Sequence, residues 1–523
     1  MGPLLTFADA VAKHARLTPQ KLAVRDSRRA LTYVQWDQRC RQLASGLLAL
    51  GLGKGDRVAV VATNAIEWME LYAAMARAGL VIVPVNFRLS GPEIAYIVQH
   101  AQAAAVIAQH AFVDVIDSVR AELGVDAGRY VVWGDVPVPN GWQAYEAVVA
   151  TGDAEAVFAD VAPSDMCALM YTSGTTGKPK GVVRRHEGSA LIALATALEM
   201  GFKRDDTALL VMPLCHANSL YFGTTFVHMG GTCIIEDRPS FDPEALLRTL
   251  AEEHVTFTSL VPTHYIMMLA LPQEVRARYD LSAVDKLMIS SAPARPDTKR
   301  GIMALFPNGQ LHELYGSTEA GWVTLLRPEE QLSKLGSVGR EWAGSGPIRL
   351  LDDKRQEVAD GEVGELFSQT AYVFDGYWHN DEKTAEAFAG SWCSVGDMGR
   401  RDADGYIWLV DRKSNMIISG GENIYPSEVE AVLGRHPAVQ DVAVIGVPHD
   451  KWGETVKAVV ILHEGQAVDE AELKSWAREH LAGYKCPTQV AFIAEVDMPR
   501  TATGKILHRR LRDRELARVT EAL

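Results

Sequence analysis

The sequence YTSGTTGKPKG, residues 171 to 181, concentrates hydroxyl groups, glycines and two lysines in one short run. It directly follows the apolar stretch 166–170. Glycines let backbone N–H groups approach an anion, the threonines and the serine add hydroxyl donors, and Lys178 and Lys180 add positive charge. This run predicts phosphate binding, with a polar surface turn as the alternative interpretation.

The obvious nucleotide-binding motifs do not fit this chain. A Walker loop requires G-x-x-x-x-G-K-[ST], but only two residues separate Gly174 from Gly177, and Pro179 stands where the magnesium-binding hydroxyl should be. The segment GLGKGD at 51 to 56 also fails the G-x-G-x-x-G pattern and precedes a predicted strand instead of following one. The spacing therefore argues against a Walker-type GTPase or kinase and against a Rossmann dinucleotide site.

Bulk composition limits the class of protein. A chain of 523 residues is too long for one core, so we expect two or more domains. Hydrophobic content of 48% with 23% charged residues is typical of a folded globular chain, and no apolar run is long enough to cross a bilayer. The formal charge of −14 disfavours nucleic acid and anionic membranes as partners, although it allows a local basic pocket.

The cysteines and the N-terminal sequence give information on the cellular compartment of the protein. Six cysteines are scattered without C-x-x-C spacing, which indicates neither a zinc site nor a disulfide framework. The first twenty residues lack a secretory signal, and we interpret the match of MGPLLT to the loose myristoylation pattern as chance because no second anchor accompanies it. We expect a cytoplasmic protein without a stable membrane anchor, and the sequence leaves a homodimer open.

Periodicity predicts an α/β fold. Short β-branched runs alternate with helical periodicity over residues 36–50 and 67–78. Predicted strands cover residues 57–61, 80–85, 104–108, 130–133, 208–212, 232–236, 256–261 and 286–290.

Beyond about residue 335 the segments become short and are broken by turns. DADG at 402 to 405 predicts a hairpin turn, since it lacks the alternating ligands of a calcium loop. A predicted helix over 427–433 and predicted strands over 442–447 and 458–462 form a small α+β unit. We therefore expect a large, multi-subdomain α/β domain over residues 1–411 and a smaller α+β domain over residues 412–523.

Four further motifs follow the opening run in order. They are LYGSTEAG (314–321), SVGDMGRRDADGY (394–406), DRKSNMIISGGENIYPSEVE (411–430) and PRTATGKILHRRL (499–511). Together, the five strings resemble the adenylate-forming superfamily of acyl-CoA synthetases, peptide synthetase adenylation domains and luciferases, from about residue 25 to 510.

The resemblance implies a two-step reaction and its cofactors. A carboxylate attacks the α-phosphate of ATP, pyrophosphate leaves, and a thiol then attacks the acyl-adenylate. Because both reactants of the first step are anionic, the site must supply positive charge and aligned donors. The implied protein is an AMP-forming carboxylic acid:CoA ligase that uses ATP, Mg²⁺ and CoA, with residues 1–411 binding ATP and acid and a mobile domain over 412–523.

The resemblance also assigns nucleotide contacts. Lys505 would bridge the carboxylate and the α-phosphate, Glu319 would bind magnesium with Thr175 nearby, Tyr315 would stack on adenine, and Asp397 would hold the ribose. For each residue, a surface or packing role is the competing interpretation. The full implied set is Thr172, Ser173, Gly174, Thr175, Thr176, Gly177, Lys180, Ser291, Ala292, Pro293, Glu313, Tyr315, Gly316, Ser317, Thr318, Asp397, Arg412 and Lys505.

The same resemblance implies a hinge and a CoA tunnel. Residues 412–415 lie where related proteins turn their small domain, although Ser414 stands where an Asp or Lys is usual. Gly420 and Gly421 would line the pantetheine tunnel, where a side chain would block a thin ligand. The implied CoA contacts are Arg88, Gly420, Gly421, Trp452 and Lys485.

The implied acid pocket is largely apolar. Its candidate walls are His216, Asn218, Tyr221, Phe222, His264, Tyr265, Met268 and Trp322. Such walls exclude polar amino acids as favoured substrates, and no Asp near residues 212–223 could pair with an ammonium group. We expect Trp322 to shorten the pocket, which favours small, medium-chain or aryl acids over long fatty acids.

Two alternatives stay open. The first is a standalone adenylating enzyme that loads a carrier-protein thiol, which would run the same first step without free CoA. The second is a non-catalytic nucleotide-binding protein of the same fold, which should have lost Lys505 or Glu319. Both residues are present.

Overall fold

The computed structural model describes residues 6–172, 179–290, 294–419, 422–449, 451–501 and 504–521. The chain forms two compact units: the first runs to Pro347 and includes Ser368–Cys393, and the second comprises Ile348–Phe367 and the residues from Ser394 onward. The predicted boundary between residues 411 and 412 lies inside the second unit and stays a prediction.

The strands are β1 Leu22–Arg25, β2 Ala30–Thr32, β3 Arg57–Val61, β4 Val81–Val85, β5 Ala103–Gln109, β6 Tyr130–Trp133, β7 Gln143–Ala144, β8 Met166–Thr172, β9 Lys180–Arg185, β10 Thr207–Leu210, β11 Thr232–Ile235, β12 Phe257–Leu260, β13 Lys286–Ile289, β14 Gln310–Ser317, β15 Gly321–Leu326, β16 Arg340–Glu341, β17 Arg349–Leu351, β18 Gly364–Phe367, β19 Phe388–Ala389, β20 Trp392–Cys393, β21 Asp397–Arg401, β22 Ile407–Arg412, β23 Ile417–Ser419, β24 Glu422–Ile424, β25 Val439–His449, β26 Gly453–Leu462 and β27 Gln489–Phe492.

The α-helices are α1 Phe7–Leu17, α2 Tyr33–Ala49, α3 Ile66–Ala78, α4 Gly91–His100, α5 Val113–Asp117, α6 Tyr145–Thr151, α7 His186–Met200, α8 Ala217–Met229, α9 Pro243–Glu252, α10 Pro262–Ala270, α11 Gln273–Arg276, α12 Pro296–Leu305, α13 Asp381–Ala387, α14 Pro426–Leu433, α15 Glu470–His480 and α16 His508–Glu521.

Two large sheets organise the first unit. One runs in the order β7-β6-β5-β3-β4-β8-β9 and the other in the order β16-β15-β14-β13-β12-β10-β11-β1-β2. The pairs among β3, β4 and β5 and among β10 to β14 are parallel. Strands β3 and β4 are almost wholly buried, which explains why they are near-continuous apolar runs and not alternating ones.

Each large sheet contains an antiparallel hairpin that carries a sequence motif. Strand β8 turns back antiparallel into β9, with Thr172 opposite Lys180. Strand β14 turns back antiparallel into β15, with Ser317 opposite Gly321. A Cβ atom on Gly316 would meet the Gly321 carbonyl oxygen at 2.3 Å, so this hairpin requires glycine there.

The second unit holds two smaller sheets. One has the order β17-β18-β21-β22, and the other has the order β24-β23-β26-β25 with β27 beside β26. The predicted DADG turn connects β21 and β22, where Asp402 Oδ1 accepts hydrogen bonds from the backbone N–H groups of Asp404 and Tyr406. Helix α14 packs on β25, and α16 also contacts β25 and buries Leu511.

The α/β class, with a large N-terminal domain and a smaller α+β C-terminal domain, is confirmed. Among the residues that the structure describes, no helix has the length and apolar character needed to cross a membrane.

Candidate active site

Glu319 lies in the turn between β14 and β15 and is buried. Its Oε1 atom accepts a hydrogen bond from the Tyr377 hydroxyl at 2.9 Å and a longer one from Thr172 Oγ1 at 3.4 Å. The Lys180 Nζ atom sits 3.9 Å from the centroid of the Tyr377 ring. The two motif-bearing hairpins therefore meet at one carboxylate within the first unit.

The backbone around Glu319 is fixed by further hydrogen bonds. The Phe374 N–H donates to the Glu319 carbonyl oxygen at 2.8 Å, and the Thr370 hydroxyl donates to the Ala320 carbonyl oxygen at 2.7 Å. The Ala320 N–H in turn donates to Ser317 Oγ at 2.9 Å. A carboxylate on such a braced turn is held for a ligand without rearrangement.

Several nucleotide contacts implied by the resemblance cannot be located. The predicted residues Ser173, Gly174, Thr175, Thr176, Gly177, Ser291, Ala292 and Pro293 lie outside the residues that the structure describes. Their flanks are described, since Thr172 ends β8, Lys180 begins β9, and Ser290 directly follows β13. Those roles stay predictions.

Glu313 stands apart from the other β14 motif residues. Its carboxylate forms a buried ion pair with the Lys299 ammonium, and both side chains are almost fully buried. Burial raises the pKa of Glu313, and Lys299 opposes that rise. Because the Glu313 carboxylate is already paired with a buried cation, we interpret Glu313 as a residue that stabilises β14 beneath the motif. The predicted contact between Glu313 and the nucleotide stays a prediction.

The next four motif residues emerge from the core. Tyr315, Gly316, Ser317 and Thr318 are half-buried, in contrast to the buried residues 311–314 that precede them. Tyr315 lies opposite Thr324, and the register shifts between Tyr315 and Gly316. The strand thus delivers this segment to the surface at the carboxyl edge of the parallel strands, where ligands bind in open α/β sheets.

A polar trio lies near the same edge. Asn218, in the first turn of α8, donates from Nδ2 to Ser290 Oγ at 2.7 Å, and Ser290 Oγ lies 3.3 Å from Ser259 Oγ. Within the described residues, the Asn218 Oδ1 atom is buried and has no hydrogen-bond partner. A buried amide oxygen without a partner favours the binding of a ligand that donates a hydrogen bond to it.

Three predicted acid-pocket residues form one aromatic cluster. The Tyr221 and Trp322 ring centroids lie 5.3 Å apart, and those of Phe222 and Trp322 lie 5.4 Å apart. The Trp322 Nε1–H donates to Thr196 Oγ1 at 3.0 Å, which fixes the indole. All three side chains are buried, and whether they also line an acid pocket stays a prediction.

The other predicted acid contacts differ in character. Burial and the charge of Arg88 lower the pKa of His216 to about 4, so its imidazole is neutral at physiological pH. His264 stacks on Phe241 with ring centroids 4.1 Å apart, and burial lowers its pKa to about 4. Tyr265 is fully buried and donates to the Met288 carbonyl oxygen, which are the contacts of a core residue.

In the second unit, the paired strands β21 and β22 bring Asp397 opposite Arg412. The Arg412 Nε and Asp397 Oδ1 atoms form an ion pair at 3.1 Å. Lys505 follows Gly504 in a turn closed by the Thr501 N–H donating to the Lys505 carbonyl oxygen. The charge of Arg412 lowers the pKa of Lys505, and the charge of Asp397 raises it. The three predicted site residues are therefore close enough to interact electrostatically.

The pKa of Lys505 is lower than that of an ordinary lysine. Desolvation lowers the pKa of Lys505 to about 8, Arg412 acts in the same direction, and Asp397 and Asp411 oppose it. The nearby Arg412 guanidinium adds to this effect, because two like charges that face each other disfavour the protonated amine.

This shift gives a testable pH dependence. The cationic fraction of Lys505 falls as pH rises through about 8, well below the ordinary lysine value of 10.5. We expect kcat/KM for ATP in the adenylation half-reaction to decline above pH 8 in the wild type, because the cation predicted to bridge the carboxylate and the α-phosphate is lost. Pyrophosphate release measured from pH 6.5 to 9.5, with Lys505→Arg as the permanently charged comparison, checks this. A wild-type profile as flat as that of the arginine variant would contradict it.

The predicted CoA contacts are only partly placed. Gly420 and Gly421 lie outside the described residues. Trp452 is half-exposed beneath Lys451, whose Nζ lies 4.5 Å from the ring centroid. Lys485 donates to both carboxylate oxygens of Glu428, at 2.7 and 2.8 Å, and this bond raises its pKa. Arg88 is exposed in the first unit, where its charge reaches His216.

Sequence reasoning missed two residues of the site. Tyr377 donates to Glu319 although it belongs to none of the five motifs, and Lys299 pairs with Glu313 from α12. Neither has a local signal, because each partner is distant in sequence and only the tertiary fold brings them together.

The motif-bearing hairpins of the first unit and the Asp397–Arg412–Lys505 group of the second define an adenylate-forming enzyme. Residues 11–378 match the family model described as AMP-binding enzyme, and residues 428–505 match the AMP-binding enzyme C-terminal domain.

Two curated relatives and one solved structure illustrate the match. Indoleacetate–CoA ligase of Aromatoleum aromaticum is 35% identical over 505 residues, covering 96% of both chains. Feruloyl-CoA synthase of an Amycolatopsis species is 37% identical over 509 residues, covering 96% of this chain and 97% of the relative. The crystal structure of the anthranilate CoA ligase AuaEII with anthranoyl-AMP has a TM-score of 0.87 at 28% identity, covering 100% of this chain and 99% of that one.

The chain therefore belongs to the AMP-binding enzyme family. It is an AMP-forming acid:CoA ligase, an acyl-CoA synthetase that works through an acyl-adenylate, as the sequence motifs predicted.

Proposed function

We propose that this ligase activates a small aryl acid as its adenylate and transfers the acyl group to the thiol of CoA, with AMP as the leaving group. The observation that carries the proposal is that the first two turns of α8 supply both the Tyr221 and Phe222 rings of the Trp322 cluster and the Asn218 amide bonded to Ser290. Flat aromatic walls with a single polar contact suit a ring better than a long alkyl chain. Relatives named for indoleacetate, ferulate and anthranilate support the same class.

The Asn218 amide refines the substrate class. Its Oδ1 atom, buried and without a partner in the described residues, would accept a hydrogen bond from a hydroxyl or N–H group on the substrate ring. Since a site built to bond such a group discriminates against substrates that lack it, we propose an aryl acid bearing a hydrogen-bond donor.

Lys505 supplies the cation for the first step in this proposal. Two anions, the carboxylate and the α-phosphate, must approach each other, and a compact ammonium with three donors suits a bridging position. Asp397 would bond the ribose hydroxyls, and Arg412 would orient Asp397 through their ion pair.

Magnesium fits the Glu319 carboxylate. Within the described residues no group of three or more His, Cys, Asp or Glu side chains could cage a metal unaided. Mg²⁺ is commonly held by one or two carboxylates together with substrate phosphates, which matches a single braced Glu319. When bound, the ion would neutralise charge on the phosphates, while Thr175 is proposed as a further contact near it.

For the second step we propose CoA as the acceptor, with Arg88, Trp452 and Lys485 contacting it beside Gly420 and Gly421. Lys485 already forms an ion pair with Glu428. If Lys485 binds a phosphate of CoA, that phosphate would replace the Glu428 carboxylate as its partner. A carrier-protein thiol is the second candidate, and consumption of free CoA separates the two.

The substrate class is tested by a panel of carboxylic acids. Acid-dependent release of AMP and pyrophosphate, with and without CoA, is measured for aryl acids and for alkyl acids of equal carbon number. We expect kcat/KM to be at least about 10-fold higher for the aryl acids. Activity that continues to grow with alkyl chains beyond about twelve carbons would contradict the proposal.

Asn218→Leu tests the proposed polar contact. We expect about a 10-fold loss of kcat/KM for hydroxyl- or N–H-bearing aryl acids, the equivalent of one hydrogen bond, and little change for the unsubstituted parents. The matched substrate pair controls for general damage to the pocket. Equal losses on both members of the pair would remove Asn218 from substrate recognition while leaving aryl specificity open to the panel.

We also infer a cytoplasmic location, supported by six free cysteines, of which all but Cys167 are buried. A homodimer stays a prediction, which light scattering of the purified enzyme checks.

A further inference from the structure

A narrow cavity of about 40 Å³ lies inside the first unit among α1, α3, α7, α8 and β8. Most of its wall is apolar, but Arg184 of β9, His186 of α7 and Tyr221 of α8 also line it. Its volume has room for one or a few water-sized bodies, which is too little for an aryl acid or a phosphate ester.

Arg184 places a buried positive charge on this cavity. The side chain is about 2% exposed, and none of the described residues offers it a carboxylate within ion-pair distance. Its Nη1 donates to the carbonyl oxygens of Thr318 at 3.5 Å and Glu319 at 3.4 Å, both long bonds to neutral groups. Its Nε and Nη2 atoms are buried, and none of the residues that the structure describes gives them a hydrogen-bond partner.

An uncompensated buried cation is expensive, because guanidinium leaves water without a counter-charge. The Tyr221 ring, 5.4 Å from the guanidinium carbon, gives only partial compensation. The Glu319 carboxylate is bonded instead by Tyr377 and Thr172. The charge of Arg184 therefore calls for an anion.

The other polar groups on the cavity wall are suited to an anion as well. The Tyr221 hydroxyl and His186 Nε2 are buried and, in the described residues, have no partner. The hydroxyl offers a donor, and the imidazole offers a second one in its Nε2–H tautomer. Burial lowers the pKa values of His186 and His228 to about 4, which leaves both rings neutral. Burial raises the pKa of Cys167, which keeps its thiol protonated. No Asp or Glu is among the described residues that line the cavity.

We propose that this cavity binds a small monovalent inorganic anion, of the halide class, against the guanidinium of Arg184. In this arrangement, Arg184 Nε and Nη2 and the Tyr221 hydroxyl donate hydrogen bonds to the anion. Because Nη1 of the same guanidinium bonds the carbonyls of Thr318 and Glu319, the anion also supports the turn that carries Glu319.

The test uses the intact wild-type enzyme with chloride and bromide as probes. Thermal unfolding is followed in sodium chloride, sodium bromide and sodium gluconate at equal ionic strength, and crystals containing bromide are measured at its absorption edge. We expect the halides to raise Tm by about 2–4 °C over gluconate, as a ligand bound only by the folded state does. We also expect an anomalous peak within hydrogen-bond distance of Arg184.

Matched variants separate this site from a general salt effect. Arg184→Met should lose the halide response, whereas Arg185→Met, which removes the neighbouring half-exposed arginine paired with Asp375, should keep it. If Arg184→Met does not fold, the wild-type measurements decide alone. Water without anomalous signal in the cavity, or a halide response unchanged in Arg184→Met, would overturn the proposal.

Discussion

Replacing Lys505 by alanine is expected to lower the rate of acyl-adenylate formation about 10³-fold, equivalent to about 4 kcal/mol of transition-state stabilisation. The carboxylate and the α-phosphate repel each other, and the ammonium is the group proposed to bridge them. Folding should be intact, because Lys505 lies at an exposed turn and not in the core of the second unit.

The second half-reaction provides the internal comparison. When acyl-adenylate is supplied, thioester formation with CoA by Lys505→Ala should fall less than about 10-fold, since the resemblance implies that the small domain turns away from this arrangement before thiolation. Lys474→Ala, which removes a surface lysine paired with Glu470 on α15, is the matched control and should leave both steps unchanged. Equal impairment of the two half-reactions by Lys505→Ala would argue against the bridging role.

Glu319→Gln is expected to lower kcat/KM for ATP about 10²- to 10³-fold and to raise the Mg²⁺ concentration needed for half-maximal adenylation. The amide keeps the size of the side chain but removes the charge that attracts a hard cation. Initial rates of pyrophosphate release, measured over a series of Mg²⁺ concentrations at fixed ATP, report both quantities.

Tyr377→Phe separates charge from positioning. It deletes the 2.9 Å hydrogen bond to Glu319 Oε1 and leaves the carboxylate in place, so we expect a loss of about 10-fold. The control variant is Tyr96→Phe, which removes the hydroxyl of another tyrosine of the first unit, one that donates to the Pro179 carbonyl oxygen.

For the metal site itself, the contradicting result is a Glu319→Gln enzyme with the Mg²⁺ dependence of the wild type. That result would show that Glu319 does not bind the metal.

Local patterns predicted the regular elements well. The run RVAVV was predicted as a strand over 57–61 and forms Arg57–Val61, because a strand buried on both faces must be continuously apolar. The helix predicted over 36–50 begins earlier, at Tyr33, because Thr32 and Gln35 form a capping box that periodicity does not reveal. Strand β25 extends to His449, past the apolar residues that predicted it, because β26 pairs with its whole length.

The candidate site was only partly accessible from sequence. The motifs named Glu319, Asp397 and Lys505, since each stands in a short string of unusual composition. The partners of these residues depend on chain crossings that no local string encodes, as when Tyr377 reaches Glu319. Arg184 shows the same limit, because within the sequence it is one more basic residue of a strand, and only its burial makes its charge notable.

The central claim is that a carboxylate oxygen of the acid attacks the α-phosphorus of ATP. It is tested most directly by supplying an aryl acid labelled with ¹⁸O in both carboxylate oxygens and analysing the products by mass spectrometry. The predicted result is AMP that carries one ¹⁸O atom, with unlabelled pyrophosphate and one ¹⁸O left in the CoA thioester. Unlabelled AMP, with the label in phosphate or pyrophosphate, would contradict it.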